Sequence, residues 1–157
     1  MSFRLVLAVV AIACSVSLST SGRGMAQADA ERLKRGDDVV LQLNGGKPQP
    51  TLEGLRAEFP FLADAIQAYA LGDVWGRQVL DPRTRQIAAV AAFAALGYRP
   101  FMKIHAGYAL NLGVRPEELK EIVYLTTVHA GFPRAIEAAQ TLAELFRERD
   151  QQPASAK

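Results

Sequence analysis

The 157-residue chain has one cysteine, one tryptophan and two histidines. The cysteine, Cys14, lies within the first 28 residues, so the body that follows has no thiol. That excludes a disulfide framework, a cysteine-based metal site and thiol redox chemistry for the body. The histidines, His105 and His129, stand 24 residues apart, without an H-x-x-x-H or H-E-x-x-H spacing. A metal centre is not expected from them. An excess of one charge is lacking too. The formal net charge of +2 comes from Arg4 and Arg23, and the remaining 129 residues carry sixteen groups of each sign. A neutral body lacks the clustered basic face that nucleic acid requires. There is no phosphate loop, nucleophile elbow or dinucleotide fingerprint.

What is present divides into three parts. Residues 1–28 read as a secretory signal peptide: a basic start at Arg4, an apolar run from Leu5 to Leu18, and Ala26-Gln27-Ala28 as a cleavage site before Asp29. The run is too short for a stable membrane span. The protein is therefore expected in the periplasm or secreted. Ile12-Ala13-Cys14 loosely resembles a lipoprotein box, which leaves lipid anchoring through Cys14 as a second possibility. Residues 29–150 read as a single helical domain, and 151–157 as a disordered polar tail.

No stretch of the body alternates apolar and polar residues long enough for a strand, so the fold class is all-α. Ala30 to Leu43 is expected as a first helix, weakened by Gly36 and stopped by Asn44-Gly45-Gly46. Thr51 is expected to cap a short helix that ends before Pro60, and another follows from Phe61 to Tyr69 or Trp75. Asp81-Pro82 starts the helix Arg83 to Leu96, which Gly97 ends. That helix is apolar on every side, so it is expected at the centre of the core or under another subunit. Pro100 to Gly113 and Pro116 to His129 bound the next two helices. Gly131-Phe132-Pro133 breaks the chain before a last helix to about Arg149.

Few groups could carry chemistry. Phe101, His105, Tyr108 and Leu112 share one helix face. His105 there is either a core histidine or a general acid or base in a dry cleft. His129 reads as a helix C-terminal cap or a second titrating group. Arg83 and Arg85 stand in the first turn of the buried helix, where the dipole disfavours cations. They pair with acids such as Asp81 and Asp73, or they bind an anion. Trp75 serves packing or recognition.

The segments Gly72-Asp73-Val74-Trp75, Leu80-Asp81-Pro82-Arg83-Thr84-Arg85, Ala94-Ala95-Leu96-Gly97, Ile104-His105-Ala106-Gly107-Tyr108, Glu117-Glu118-Leu119-Lys120-Glu121 and Ala130-Gly131-Phe132-Pro133-Arg134-Ala135, in this order and spacing, resemble the carboxymuconolactone decarboxylase family of the alkylhydroperoxidase-D-like superfamily. The resemblance runs from about Gly72 to Ala143, with a weaker extension back to Arg32. It implies a single-domain bundle of about six helices that assembles into homotrimers or homohexamers. The peroxidase branch of the superfamily uses a C-x-x-C pair, whose cysteines would fall on Tyr98 and Phe101, and a relay glutamate that would fall near Gln86. Thiol peroxidase activity is therefore not expected.

The decarboxylase branch needs no cysteine and no cofactor. Its resemblance implies an unsaturated lactone substrate bearing carboxylates, with Arg85 as carboxylate anchor, His105 as proton donor or electrophile, and Tyr108 assisting. His129 stands where family members often have tyrosine. Arg83, Asp73 and Trp75 complete a candidate substrate-binding set. The lactone reaction belongs to intracellular aromatic catabolism, so an exported copy is expected to act on a related small carboxylated or lactone substrate. The competing expectation is a non-catalytic helical oligomer that binds a small molecule or a partner protein.

Overall fold

The computed structural model describes residues 24–151; the expected signal run, Cys14 and the tail from 152 lie outside them. Every regular element among the described residues is helical. No helix there is long and apolar enough to cross a membrane. In chain order the elements are α1 (24–43), α2 (Pro50–Glu58), α3 (Pro60–Ala65, continued by a π-helical stretch Ile66–Trp75), α4 (Pro82–Leu96), α5 (Arg99–Asn111) and α6 (Pro116–Asp150). They form two compact units. One contains 24–40 and 48–76, the other 41–47 and 77–151.

In the first unit α1 starts before the expected Ala30. Residues 24–30 are exposed, and the helix is prolonged there by the propensity of Met25, Ala26, Gln27 and Ala28 and by a Gln27–Glu31 side-chain hydrogen bond of 3.1 Å. α2 is capped by Gln49, whose side chain accepts the Thr51 N–H at 3.2 Å, so Thr51 lies inside the helix it was expected to cap. Pro50 occupies the first helical position, where its missing N–H costs nothing. Val40, Leu52 and Ala63 form the core of this unit, with Leu55, Ile66 and Leu71 against it.

Gly36 and Gly72 make a close helix approach possible. A Cβ on Gly36 would stand 2.1 Å from the Gln67 carbonyl oxygen, and one on Gly72 would stand 2.4 Å from that of Arg32. The buried Gln67 amide crosses the gap and donates to Leu33 O at 3.1 Å.

The second unit packs α4, α5 and α6 around Val90, Ala94, Met102, Ala106, Leu119, Ile122, Ala138 and Leu142. α4 begins as expected. Asp81 accepts from Thr84 N at 2.9 Å, and Pro82 follows. It ends at Gly97, whose φ of 77° is the left-handed conformation glycine favours. α6 is two arms on one axis label. Gly131 has φ 82° and ψ 168°, and Pro133 lies two residues on, so the helix is kinked there.

α4 is apolar on every side yet not buried on every side. It buries Gln86, Val90 and Ala94, while Ala88, Ala91, Ala92 and Leu96 stay exposed in the single chain. The exposed positions are mostly alanines, whose burial contributes little per residue, so the fold does not require covering them within one chain.

In an ordinary exposed helix, Gly→Ala stabilises by about 1 kcal/mol. At Gly36 the sign reverses, because the methyl would enter backbone rather than a yielding side chain. Gly36→Ala is expected to lower the unfolding free energy by about 2 kcal/mol in denaturant titration.

Candidate active site

The site is assembled by the α4–α5 turn. The Asp81 cap sets the phase of α4, and a spacing of four places Gln86, Val90 and Ala94 on its buried face. Gly97 N and Tyr98 N both donate to Phe93 O at 3.0 Å, which closes α4 and turns the chain. Pro100 then lies in the first turn of α5, whose buried residues are Met102, Ala106, Tyr108 and Ala109. His105 sits beside that face, partly buried.

Across the turn, His105 Nδ1 lies 2.8 Å from Oε1 of Gln86, which is fully buried. An amide oxygen only accepts, so Nδ1 carries the proton and Nε2 is the accepting nitrogen of the neutral ring. The Phe93 ring stands 5.1 Å from the imidazole, and Tyr108 meets it edge-on at 5.7 Å. Burial among these groups pushes the imidazole down from its ordinary value to about 4, so it is neutral at neutral pH. Gln86 Nε2 is the one buried side-chain polar atom without a hydrogen-bond partner among the described residues.

Tyr98 and Phe101, where a thiol pair would stand, both pack on Phe93, with ring centres at 6.5 and 5.7 Å. An aromatic wall occupies that place. With an amide at Gln86, no thiolate and no carboxylate relay serves His105 from these positions.

The other candidate residues go elsewhere. Arg85 donates from Nε to Leu80 O at 3.0 Å and from Nη2 to Arg77 O at 2.8 Å, which fixes the plane of its guanidinium against the loop before α4. Arg83 pairs with Glu118 of α6 and not with Asp81 or Asp73. Glu118 also accepts from Arg115 N at 2.9 Å, and Arg115 N–H and the Arg83 guanidinium hold its carboxyl down to about 2. The sequence suggested the nearer acids because chain distance was the only distance available. Asp81 is occupied by Thr84, and Asp73 accepts from Arg32 at 2.6 Å and Arg35 at 3.1 Å within the first unit. Those arginines hold the Asp73 carboxyl below its usual range. Trp75 ends the π-helical stretch of that unit, half-buried. His129 is exposed, two residues before the kink in α6. Among the described residues no group of three or more His, Cys, Asp or Glu is placed to hold a metal. A concavity of about 540 Å³ lies at the C-terminal end of α5, lined by Leu110, Val114, Arg115, Phe146 and Arg149 among others, with none of the candidate residues in its wall.

Gln86 is the residue of this site that pattern reading undervalued, since it registered only as the absence of a relay acid. A lone amide inside an apolar helix was the available signal.

The family model for the carboxymuconolactone decarboxylase family matches residues 60–144. The 4-carboxymuconolactone decarboxylase of Acinetobacter baylyi is 31% identical over 121 residues, covering 76% of this chain and 90% of that protein. An uncharacterized protein of Methanocaldococcus jannaschii is 24% identical over 98 residues, 62% of this chain and 91% of its own length.

A neutral buried His105 makes stability depend on pH. Between about 6.5 and 4 the unfolded chain binds a proton at this residue and the folded one does not. Stability from this residue is fully present above that window and falls as pH is lowered through it, by about 3 kcal/mol at the acid end. His105→Gln, which cannot titrate, is expected to lose this component. Urea unfolding of both proteins at about pH 7 and pH 4.5 reads the difference.

Proposed function

The chain belongs to the carboxymuconolactone decarboxylase family, and from that premise we propose that it is a cofactor-independent carboxy-lyase acting on a small unsaturated lactone that bears carboxylates. The observation that carries the reading is the His105 imidazole, kept neutral by burial and joined to a buried amide, on a helix that offers no thiol.

In this reading the bond from the ring carbon to a carboxylate breaks heterolytically. CO2 leaves, and the electron pair stays on the lactone, delocalised through its conjugated double bond onto the carbonyl oxygen. A proton then adds at carbon to close the balance. Such a reaction needs a cation for the carboxylates, a donor where negative charge develops, and a proton source.

Arg85 supplies the cation, with its guanidinium plane already set by Leu80 O and Arg77 O. Arg83 is less suited, because Glu118 neutralises it. His105 supplies the proton. Burial alone depresses its basicity, so the negative charge of a bound substrate works in the opposite direction and favours the imidazolium. The ring thus takes up a proton with the substrate and returns it from Nε2 to carbon after CO2 has gone. Tyr108, edge-on to the ring at 5.7 Å, is assigned an assisting role beside His105. His129 is assigned to the helix end rather than to the reaction.

We also propose export, from the basic start, apolar run and A-x-A site of residues 1–28. A homotrimer or homohexamer would cover the exposed Ala88, Ala91, Ala92 and Leu96 of α4. That same exposed face supports a second reading, a non-catalytic oligomer in which His105 is only a core residue.

The two readings separate in one assay. Protein beginning at Asp29 is incubated with 4-carboxymuconolactone, with CO2 release and lactone absorbance followed. His105→Ala is expected to lower kcat by about 10²- to 10⁴-fold. Arg85→Leu is expected to raise KM by about tenfold, with a smaller loss in kcat. Wild-type turnover that survives intact in His105→Ala removes His105 from the reaction, and absence of turnover on lactones and related carboxylates in the wild type leaves the binding oligomer. N-terminal sequencing of the mature protein from its native host is expected to start at Asp29.

A further inference from the structure

Gln86 presents a physical puzzle of its own. It is fully buried on a helix whose other buried residues are Val90 and Ala94. A buried amide needs both ends answered, and here only Oε1 is. An unanswered Nε2–H detracts from stability, so packing alone does not account for the residue. An apolar side chain of equal length would fill the same space without the orphaned donor. What the amide does provide is a single directed bond, 2.8 Å from its Oε1 to His105 Nδ1.

We propose that Gln86 is a positioning residue. Its Oε1 takes the Nδ1–H of His105 and fixes the neutral imidazole in the tautomer whose Nε2 holds the lone pair. This deepens the decarboxylase reading, on which its catalytic meaning rests. Nε2 is the atom that collects the proton on substrate binding and delivers it to carbon, and Gln86 keeps the ring from presenting the opposite nitrogen state.

The choice of an amide over a carboxylate follows from charge. Gln86 of α4 meets the ring through an amide, and Phe93 of α4 and Tyr108 of α5 meet it through their rings. A glutamate at position 86 would hold a permanent imidazolium beside it. The amide makes the same hydrogen bond without the charge, so the bound substrate decides when the ring is protonated. Phe93, 5.1 Å away on one face, and the edge of Tyr108 at 5.7 Å keep the ring plane in place while the amide sets its proton.

The test reads the tautomer directly, in the full mature protein without substrate. Long-range ¹H–¹⁵N correlation of histidine-labelled protein near neutral pH distinguishes a protonated from an unprotonated ring nitrogen. His105 is expected to show Nδ1 protonated and Nε2 unprotonated. Gln86→Met, similar in length and apolar, is expected to lose that bias while keeping its helical circular dichroism. Gln86→Glu is expected to keep Nδ1–H and to raise the His105 titration midpoint by more than about one pH unit. On turnover, Gln86→Met is expected to lower kcat by about 10²- to 10⁴-fold with KM little changed.

An Nε2–H tautomer in the wild-type protein, which requires no variant to fold, overturns the proposal. So does an Nδ1–H signature that persists in Gln86→Met. If the wild-type signature is as expected and vanishes in Gln86→Met while no lactone is turned over, the positioning role stands and the decarboxylase reading falls. If turnover occurs with the opposite tautomer, the reverse holds.

Discussion

An amide sealed from water must be answered by a hydrogen bond, and the second unit is arranged so that His105 answers Gln86 across a helix turn. For this to happen, α4 and α5 must run back along one another. The nested pairs Gln86 with His105 and Phe93 with Tyr98 show that they do. The turn between them depends on Gly97, the residue at φ 77° that lets the chain reverse within two positions. Val90 and Ala94 on one side, and Met102, Ala106 and Ala109 on the other, then fill the seam on which the amide and the imidazole meet.

The charged groups near the start of α4 are sorted by a second long-range contact. Glu118 gathers Arg83, the Arg115 side chain and the Arg115 N–H at the start of α6, which settles a cation that the first turn of α4 would otherwise leave unfavourably placed. Arg85 donates instead to the carbonyl oxygens of Leu80 and Arg77 in the loop before α4. Two arginines two residues apart thus take different contacts, an acid of α6 for one and loop carbonyls for the other, and the proposed reaction uses the second.

The first unit shows a different economy of means. Gly36 and Gly72 remove side chains so that backbones can meet, and Gln67 joins the two helices by its amide. The ten-residue π-helical stretch that carries Gly72 has no counterpart in the expectations drawn from periodicity, because apolar spacing at Leu62, Ile66 and Tyr69 fits an ordinary helix equally well. Gly36 looked like a weakness within α1. In the fold it is a requirement, and only the position of Gln67 reveals this.

Much of the backbone was legible from the chain alone. Asp81-Pro82, Gly97, Pro116 and Gly131-Phe132-Pro133 each act through their own φ, their own N–H or an oxygen three residues away, so they mark helix ends without reference to distant residues. The thiol-free body was equally decided by composition. Side-chain partnership was not. Glu118 lies 35 residues from Arg83, and Gln86 lies 19 from His105, on the far side of a turn. Such pairs exist only after helices have packed, and so does the dry surrounding that keeps the imidazole neutral. The sequence by itself determined the helix ends marked by Asp81-Pro82, Gly97, Pro116 and Gly131-Phe132-Pro133, and the absence of a thiol from the body. Tertiary structure decided that Arg83 meets Glu118 of α6 and that the His105 ring lies against the buried Gln86 amide, because burial and hydrogen bonding between helices are properties of packing and not of any local segment.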